Sequence, residues 1–233
     1  MTEARSIPGT EDRSASNTES VAQGRPAVER WLRWSGLVPL PALLLVHLGS
    51  ELAHAFPTDV RDVVRRSPSL LTTLACVSLV WVPLLVHVAL GAWLVAKGRA
   101  LTLPRELMPR LPQLVSRWSA LAAGAFVAYH AQGYALAVWL GNADARDAGF
   151  RLVAELSSTR FGVPLSGAAY LLGLLATSTH AGIGVHRALL AEGYLASAER
   201  RRLSARACTA FAVACFCLGA AAVIRVASGV LLR

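Results

Sequence analysis

The chain has 233 residues, of which 55% are hydrophobic and 16% charged, and it carries a formal net charge of +9. A soluble domain of this length cannot hide so much apolar surface, whereas a helical membrane protein leaves it facing lipid. The basic excess calls for no nucleic-acid partner, because its arginines gather at the edges of apolar stretches, where they meet anionic lipid or a docked protein.

In chain order, residues 1–27 come first: Ser, Thr, Glu, Arg and Gly without apolar periodicity, expected to form a disordered cytoplasmic tail. The tail lacks the apolar core of a cleaved signal peptide, so the first hydrophobic stretch is expected to be retained. Five apolar stretches follow, over 30–55, 69–97, 113–140, 162–188 and 203–231. Each exceeds the roughly 20 residues that cross a hydrocarbon core of about 30 Å. The expected fold is all-α, an integral membrane bundle of five transmembrane helices spanning 28–233.

Orientation follows from the distribution of Lys and Arg. One set of helix ends carries Arg25, Arg30 and Arg33; Lys97, Arg99, Arg105, Arg110 and Arg117; and Arg187, Arg200, Arg201, Arg202 and Arg206. The opposite ends carry Arg61, Arg65, Arg66, Arg146, Arg151, Arg160 and Arg233, diluted by Asp59, Asp62, Asp144, Asp147 and Glu155. The richer side is the cytoplasmic one, so the N-terminus is expected inside. The four cysteines, Cys76, Cys208, Cys215 and Cys217, form neither C-x-x-C nor C-x-x-C-H and read as small buried hydrophobes.

Four histidines, His47, His87, His130 and His180, each fall in a different one of the first four stretches. An ionisable residue inside a membrane span is costly and marks function by default. At about 1.5 Å rise per residue, His47 lies roughly 21 Å beyond Arg33 and His130 roughly 20 Å beyond Arg117. On the returning helices His87 lies about 15 Å from Lys97 and His180 about 10 Å from Arg187. The histidines therefore sort into an outer pair, His47 with His130, and an inner pair, His87 with His180. Two imidazoles at one depth suit the two axial positions of a haem, so two non-covalent b-type haems stacked across the membrane are expected. With both axial positions filled, such a haem passes electrons and leaves oxygen no place to bind.

The two halves of the chain also look alike. Arg33-Trp34-Ser35 opens the first stretch and Arg117-Trp118-Ser119 the third. Gly91 and Gly184 follow His87 and His180 by four residues, and Gly49 and Gly133 closely follow His47 and His130. Small residues there are expected to let a macrocycle lie against the backbone and helices approach closely. Each ligand is expected to donate its second N–H to a carbonyl or hydroxyl, with Thr177 a candidate for His180 unless its hydroxyl bonds its own backbone. His54 and His186 read as solvated interfacial histidines, His54 having in Glu51 a neighbour for proton exchange beside a quinone.

These residues resemble a known family. The segments are Gly36-Leu37-Val38-Pro39 before His47, Pro83-Leu84-Leu85-Val86-His87 before Gly91, Arg117 with Phe126-Val127-Ala128-Tyr129-His130, and Ser178-Thr179-His180 before Gly184. Over residues 30–231 the chain resembles the cytochrome b membrane anchor of complex II, succinate:quinone oxidoreductase or quinol:fumarate reductase, in its single-subunit, five-helix, di-haem form. The resemblance implies a bacterial inner-membrane subunit that carries electrons between an iron–sulfur subunit and a membrane quinone, menaquinone being the expected one. It implies docking of that subunit and a flavoprotein on the cytoplasmic side, with the arginine-rich inner ends as the docking surface, and leaves room for a higher oligomer. No FAD glycine motif or cluster-binding cysteine set exists here, so the dicarboxylate chemistry belongs to the partners. Near the outer pair, Glu51, His54, Gln132, Tyr134 and Trp139 are the candidates for contacting quinone, with the inner Arg-Trp-Ser segments as the alternative place. The rival readings are another di-haem cytochrome linked to quinone or ascorbate, and a non-redox membrane scaffold or transporter.

Overall fold

A computed structural model describes residues 27–37, 39–54, 77–98, 103–133, 145–159 and 162–228, and the fold over them is helical. The elements are α1 (Ala27–Leu37), α2 (Pro39–His54), a π-helical turn (Val77–Trp81) running into α3 (Val82–Ala96), α4 (Arg110–Ala131), α5 (Ala145–Ser157), α6 (Leu165–Ala191) and α7 (Ala198–Ala227). Four runs are long and apolar enough to cross a membrane: Ala27–Gly49, Ser78–Ala96, Leu165–Ala191 and Ala198–Ala227. Their outward side chains are apolar too. Leu79 in the π-helical turn, Leu85 on α3, Leu172 on α6 and Leu203 and Ile224 on α7 are each more than 60% exposed. A helix apolar on every side whose surface stays uncovered is built for lipid.

The third expected span coincides with α4, which is not among the four. Its first half is polar for a span, with Gln113, Ser116 and Ser119 buried and Arg117 exposed, and the apolar residues 134–140 that would extend it lie outside the described residues. The expected tail (1–26), the start of the second stretch (69–76) and the end of the fifth (229–231) also lie outside them. Between α4 and α6, where only a loop was expected, stands α5. Leu152, Val153 and Leu156 put an apolar stripe on one side of it, and Leu156 is 2% exposed while Arg151 faces out.

Helix ends follow local chemistry. Pro39 opens α2, where its missing N–H goes unneeded. Ser197 caps α7, its hydroxyl accepting from the Arg200 N–H at 3.2 Å. α6 stops at Glu192 because Gly193 takes φ +81°. The Tyr194 N–H then bonds the Leu189 carbonyl and the Gly193 N–H the Leu190 carbonyl, the paired closure that a left-handed glycine permits. The resulting short turn returns the chain as α7, antiparallel to α6.

α6 is the hub: α4, α7, α1 and α5 all pack against it, while α1 also packs on α3, and α2 on α7. Close approaches occur where a side chain is absent. A Cβ on Gly182 would lie 2.7 Å from the Cys208 carbonyl oxygen, one on Gly219 would strike Leu174, and one on Gly173 would strike Phe126. Leu48, Leu174 and the fully buried Cys215 form one core cluster. At the opposite end Leu103, Met108, Leu190, Ala191 and Leu195 form another, under a loop whose Leu103 and Met108 carbonyls accept from the buried Gln113 side-chain amide.

Candidate functional site: two facing imidazole pairs

The four histidines meet in two pairs. The His47 ring on α2 and the His130 ring on α4 have centroids 5.9 Å apart, with planes at 56°. The His87 ring on α3 and the His180 ring on α6 have centroids 6.2 Å apart, at 60°. In each pair the imidazoles reach towards one another from two different helices.

The chain positions the inner pair through the first half of each repeated segment. His87 Nδ1 lies 2.9 Å from the Leu32 carbonyl oxygen on α1. A carbonyl only accepts, so Nδ1 carries the proton and Nε2 keeps its lone pair for a metal. The Ser35 hydroxyl donates to the same carbonyl at 3.0 Å and stands 3.5 Å from His87 Nδ1. Gly36 completes the seat, since a Cβ there would come within 2.5 Å of His87 Cε1. On α4 the arrangement recurs. The Ser119 hydroxyl donates to the Ser116 carbonyl at 3.2 Å, as Ser35 does to Leu32. The Ser116 backbone lies beside the His180 ring, although Nδ1 of His180, like Oγ of Ser178, is buried without a hydrogen-bond partner among the described residues. α1 thus braces His87 and α4 borders His180, while α2, which follows α1, and the far half of α4 present His47 and His130.

The outer pair has an aromatic frame. Phe126 stacks on the His130 ring at 5.9 Å and 18°, and Tyr170 of α6 meets both edge-on. The Tyr170 hydroxyl is 3.4 Å from His130 Nδ1. Tyr129 packs edge-on against Tyr170 and donates its hydroxyl to the Glu155 carboxylate on α5. None of these roles is visible in the sequence, because Tyr170 and Glu155 come from helices 40 and 26 residues away from the residues they touch.

Other expectations fare differently. The Thr177 hydroxyl donates to the Gly173 carbonyl of its own helix at 2.8 Å rather than supporting His180. His186 is not a solvated interfacial residue but is half-buried, its Nδ1 3.0 Å from the Ser204 hydroxyl on α7. Among the described residues Gly49, Gly133 and Gly184 are not contact points between helices: a Cβ on any of them would meet none of those residues within 4 Å, and one on Gly91 only a Leu32 methyl at 3.9 Å. The intimate contacts fall at Gly36, Gly173, Gly182 and Gly219 instead. Of the quinone candidates, Glu51 and His54 lie in the last turn of α2 with side chains outside the described residues, Gln132 is exposed just past α4, and Tyr134 and Trp139 lie outside the described residues.

Near the α6–α7 turn Arg33 Nε donates to Glu192 at 2.6 Å, tying α1 to that turn, and Arg187 Nη1 donates to Ser116 Oγ at 2.8 Å, tying α6 to α4.

The donor sets can be tested against a metal-containing group. Two metal–imidazole bonds of about 2 Å, plus about 1 Å from each nitrogen to its ring centre, separate two centroids by about 6 Å. Both pairs sit at that separation. Among the described residues no group of three or more His, Cys, Asp or Glu side chains converges, so a metal caged by protein alone has no candidate site. Two opposed imidazoles suit a metal whose remaining positions are filled by a flat macrocycle. Known proteins add nothing to this geometry: no family model, no curated protein and no solved structure matches the chain.

Proposed function

We propose that the chain is a di-haem cytochrome b, the membrane anchor of a succinate:quinone oxidoreductase, with His47 and His130 as axial ligands of an outer haem and His87 and His180 of an inner one. The observation that carries the reading is the double juxtaposition of histidines, His47 with His130 and His87 with His180, each pair joining side chains from two different helices. A haem held by two imidazoles supplies one-electron exchange and offers no position for oxygen or substrate. The chain's part is to hold Nε2 of His87 and of His130 bare by engaging Nδ1 with the Leu32 carbonyl and the Tyr170 hydroxyl, to keep water out with lipid-facing leucines and valines, and to set the two centres at different depths.

In this reading α4 is a fifth span, extended by the apolar residues that follow it. The N-terminus lies in the cytoplasm of a bacterial cell, and the arginines of the inner ends receive iron–sulfur and flavoprotein subunits. A haem held by His87 and His180 and one held by His47 and His130 would supply one-electron exchange between those subunits and a membrane quinone. Another quinone- or ascorbate-linked di-haem cytochrome would use the same two pairs, and identification of the co-purifying subunits separates the two. The test of the common core is optical. Protein purified in detergent from haem-replete cells should show a reduced low-spin b-type band and two haems per chain; colourless protein would sink the proposal.

A further inference from the structure

We infer that Tyr170 is a positioning residue for the outer metal centre, accepting the Nδ1 proton of His130 and thereby lowering that centre's reduction potential relative to one whose axial histidine lacks this partner. The inference rests on the reading of His130 as an axial ligand and adds a residue and a direction to it. Tyr170 is 5% exposed, its hydroxyl is 3.4 Å from His130 Nδ1, and its ring stands at 86° to the imidazole. If Nε2 of His130 binds a metal, Nδ1 must bear the proton, and the phenol oxygen is then its acceptor. Donation from Nδ1 makes the imidazole a stronger electron donor, which stabilises the oxidised metal and lowers the potential.

The phenol is itself held. Phe126 and Tyr129 meet its ring edge-on at 5.4 and 6.3 Å, and Tyr129 is anchored by its hydroxyl to Glu155 of α5. The surface helix α5 thus braces Tyr129, Tyr129 braces Tyr170, and Tyr170 orients the ligand. The inner pair is built differently, with the Leu32 backbone carbonyl as the acceptor for His87. A side-chain change can therefore reach the outer centre and leave the inner one alone.

The experiment is a redox titration of the full chain with whatever subunits accompany it, in wild type, Tyr170→Phe and Tyr129→Phe, followed by optical and low-spin EPR signals. Tyr170→Phe keeps the ring contacts and removes the acceptor. The expected result is retention of both haems, an upward shift of one midpoint with an altered EPR signal for that haem, and no change in the other midpoint. Tyr129→Phe should shift the same midpoint in the same direction by less. The shifted transition must be the one abolished by His130→Ala. Unchanged midpoints in both variants, or a shift in the haem lost with His87→Ala, would overturn the inference. Should Tyr170→Phe not accumulate, an unchanged outer midpoint in Tyr129→Phe does so alone. Wild-type chain without haem fails the underlying reading instead, so the two failures are distinct.

Discussion

The Nδ1 of His87 rests 2.9 Å from the carbonyl oxygen of Leu32, a backbone group 55 residues earlier in the chain and on a different helix. That contact joins α1 to α3 and at the same time chooses which imidazole nitrogen carries the proton. Folding and ligand chemistry are thereby the same event at this position. Gly36 makes the contact sterically possible, one turn past Leu32.

Gly36→Ala should therefore damage the inner centre selectively. The added methyl would lie 2.5 Å from His87 Cε1 and 2.6 Å from Nδ1, so the ring must move. Overpacking of this kind costs about 1–3 kcal/mol. The haem-to-protein ratio should fall from two towards one, with the inner transition missing from a redox titration; unchanged content and midpoints would show that the seat is not needed.

Removing a ligand separates the two pairs more bluntly. His47→Ala and His130→Ala should each lose the same haem, and His87→Ala and His180→Ala the other, because the members of each pair face one another at 5.9 and 6.2 Å. Pyridine haemochrome assay of the four purified variants checks this. Loss of both haems from His47→Ala but only one from His130→Ala would break the pairing.

Two glycines on the buried and open sides of the bundle should respond in opposite ways. A Cβ on Gly182 meets the Cys208 carbonyl at 2.7 Å, backbone that cannot swing aside, so Gly182→Ala should destabilise α6 against α7 by about 1–3 kcal/mol. A Cβ on Gly124 meets nothing within 4 Å, and Gly124→Ala should be neutral or stabilising by about 0.5–1 kcal/mol through the helix backbone. Thermal unfolding in detergent reads both; equal midpoints for the two variants would contradict the packing.

The Arg33–Glu192 ion pair offers a fourth test. Its side chains are only 10% and 16% exposed, so removing one partner leaves the other charge poorly solvated. Glu192→Gln should cost about 3 kcal/mol, and the double change Arg33→Leu with Glu192→Leu should recover a good part of it. A double variant less stable than the single one, by the same thermal measurement, would argue against a coupled pair.

Hydropathy made four membrane-length apolar runs legible, since it depends on counting along one helix. Arg-Trp-Ser at 33–35 and 117–119 was readable as a repeat, yet its meaning was not. Ser35 and Ser119 each bond a carbonyl three residues back, and those carbonyls, from Leu32 and Ser116, border His87 and His180. A carbonyl belongs to every residue and leaves no mark in the sequence. The helix α5 escaped notice because its stripe of Leu152, Val153 and Leu156 is short and broken by charge. Glycines next to the histidines drew attention by proximity in sequence, whereas the close contacts at Gly173, Gly182 and Gly219 depend on which neighbour each faces.

The order of amino acids alone determined that the chain carries apolar helices long enough to cross a membrane, because hydropathy and helix length are both read along a single segment. Tertiary structure decided what lies sideways of each helix: that the His87 ring on α3 meets the His180 ring on α6, that Leu32 holds His87, and that Tyr170 reaches His130. Lateral neighbours depend on side-chain volume summed over several helices, and no single segment contains that sum.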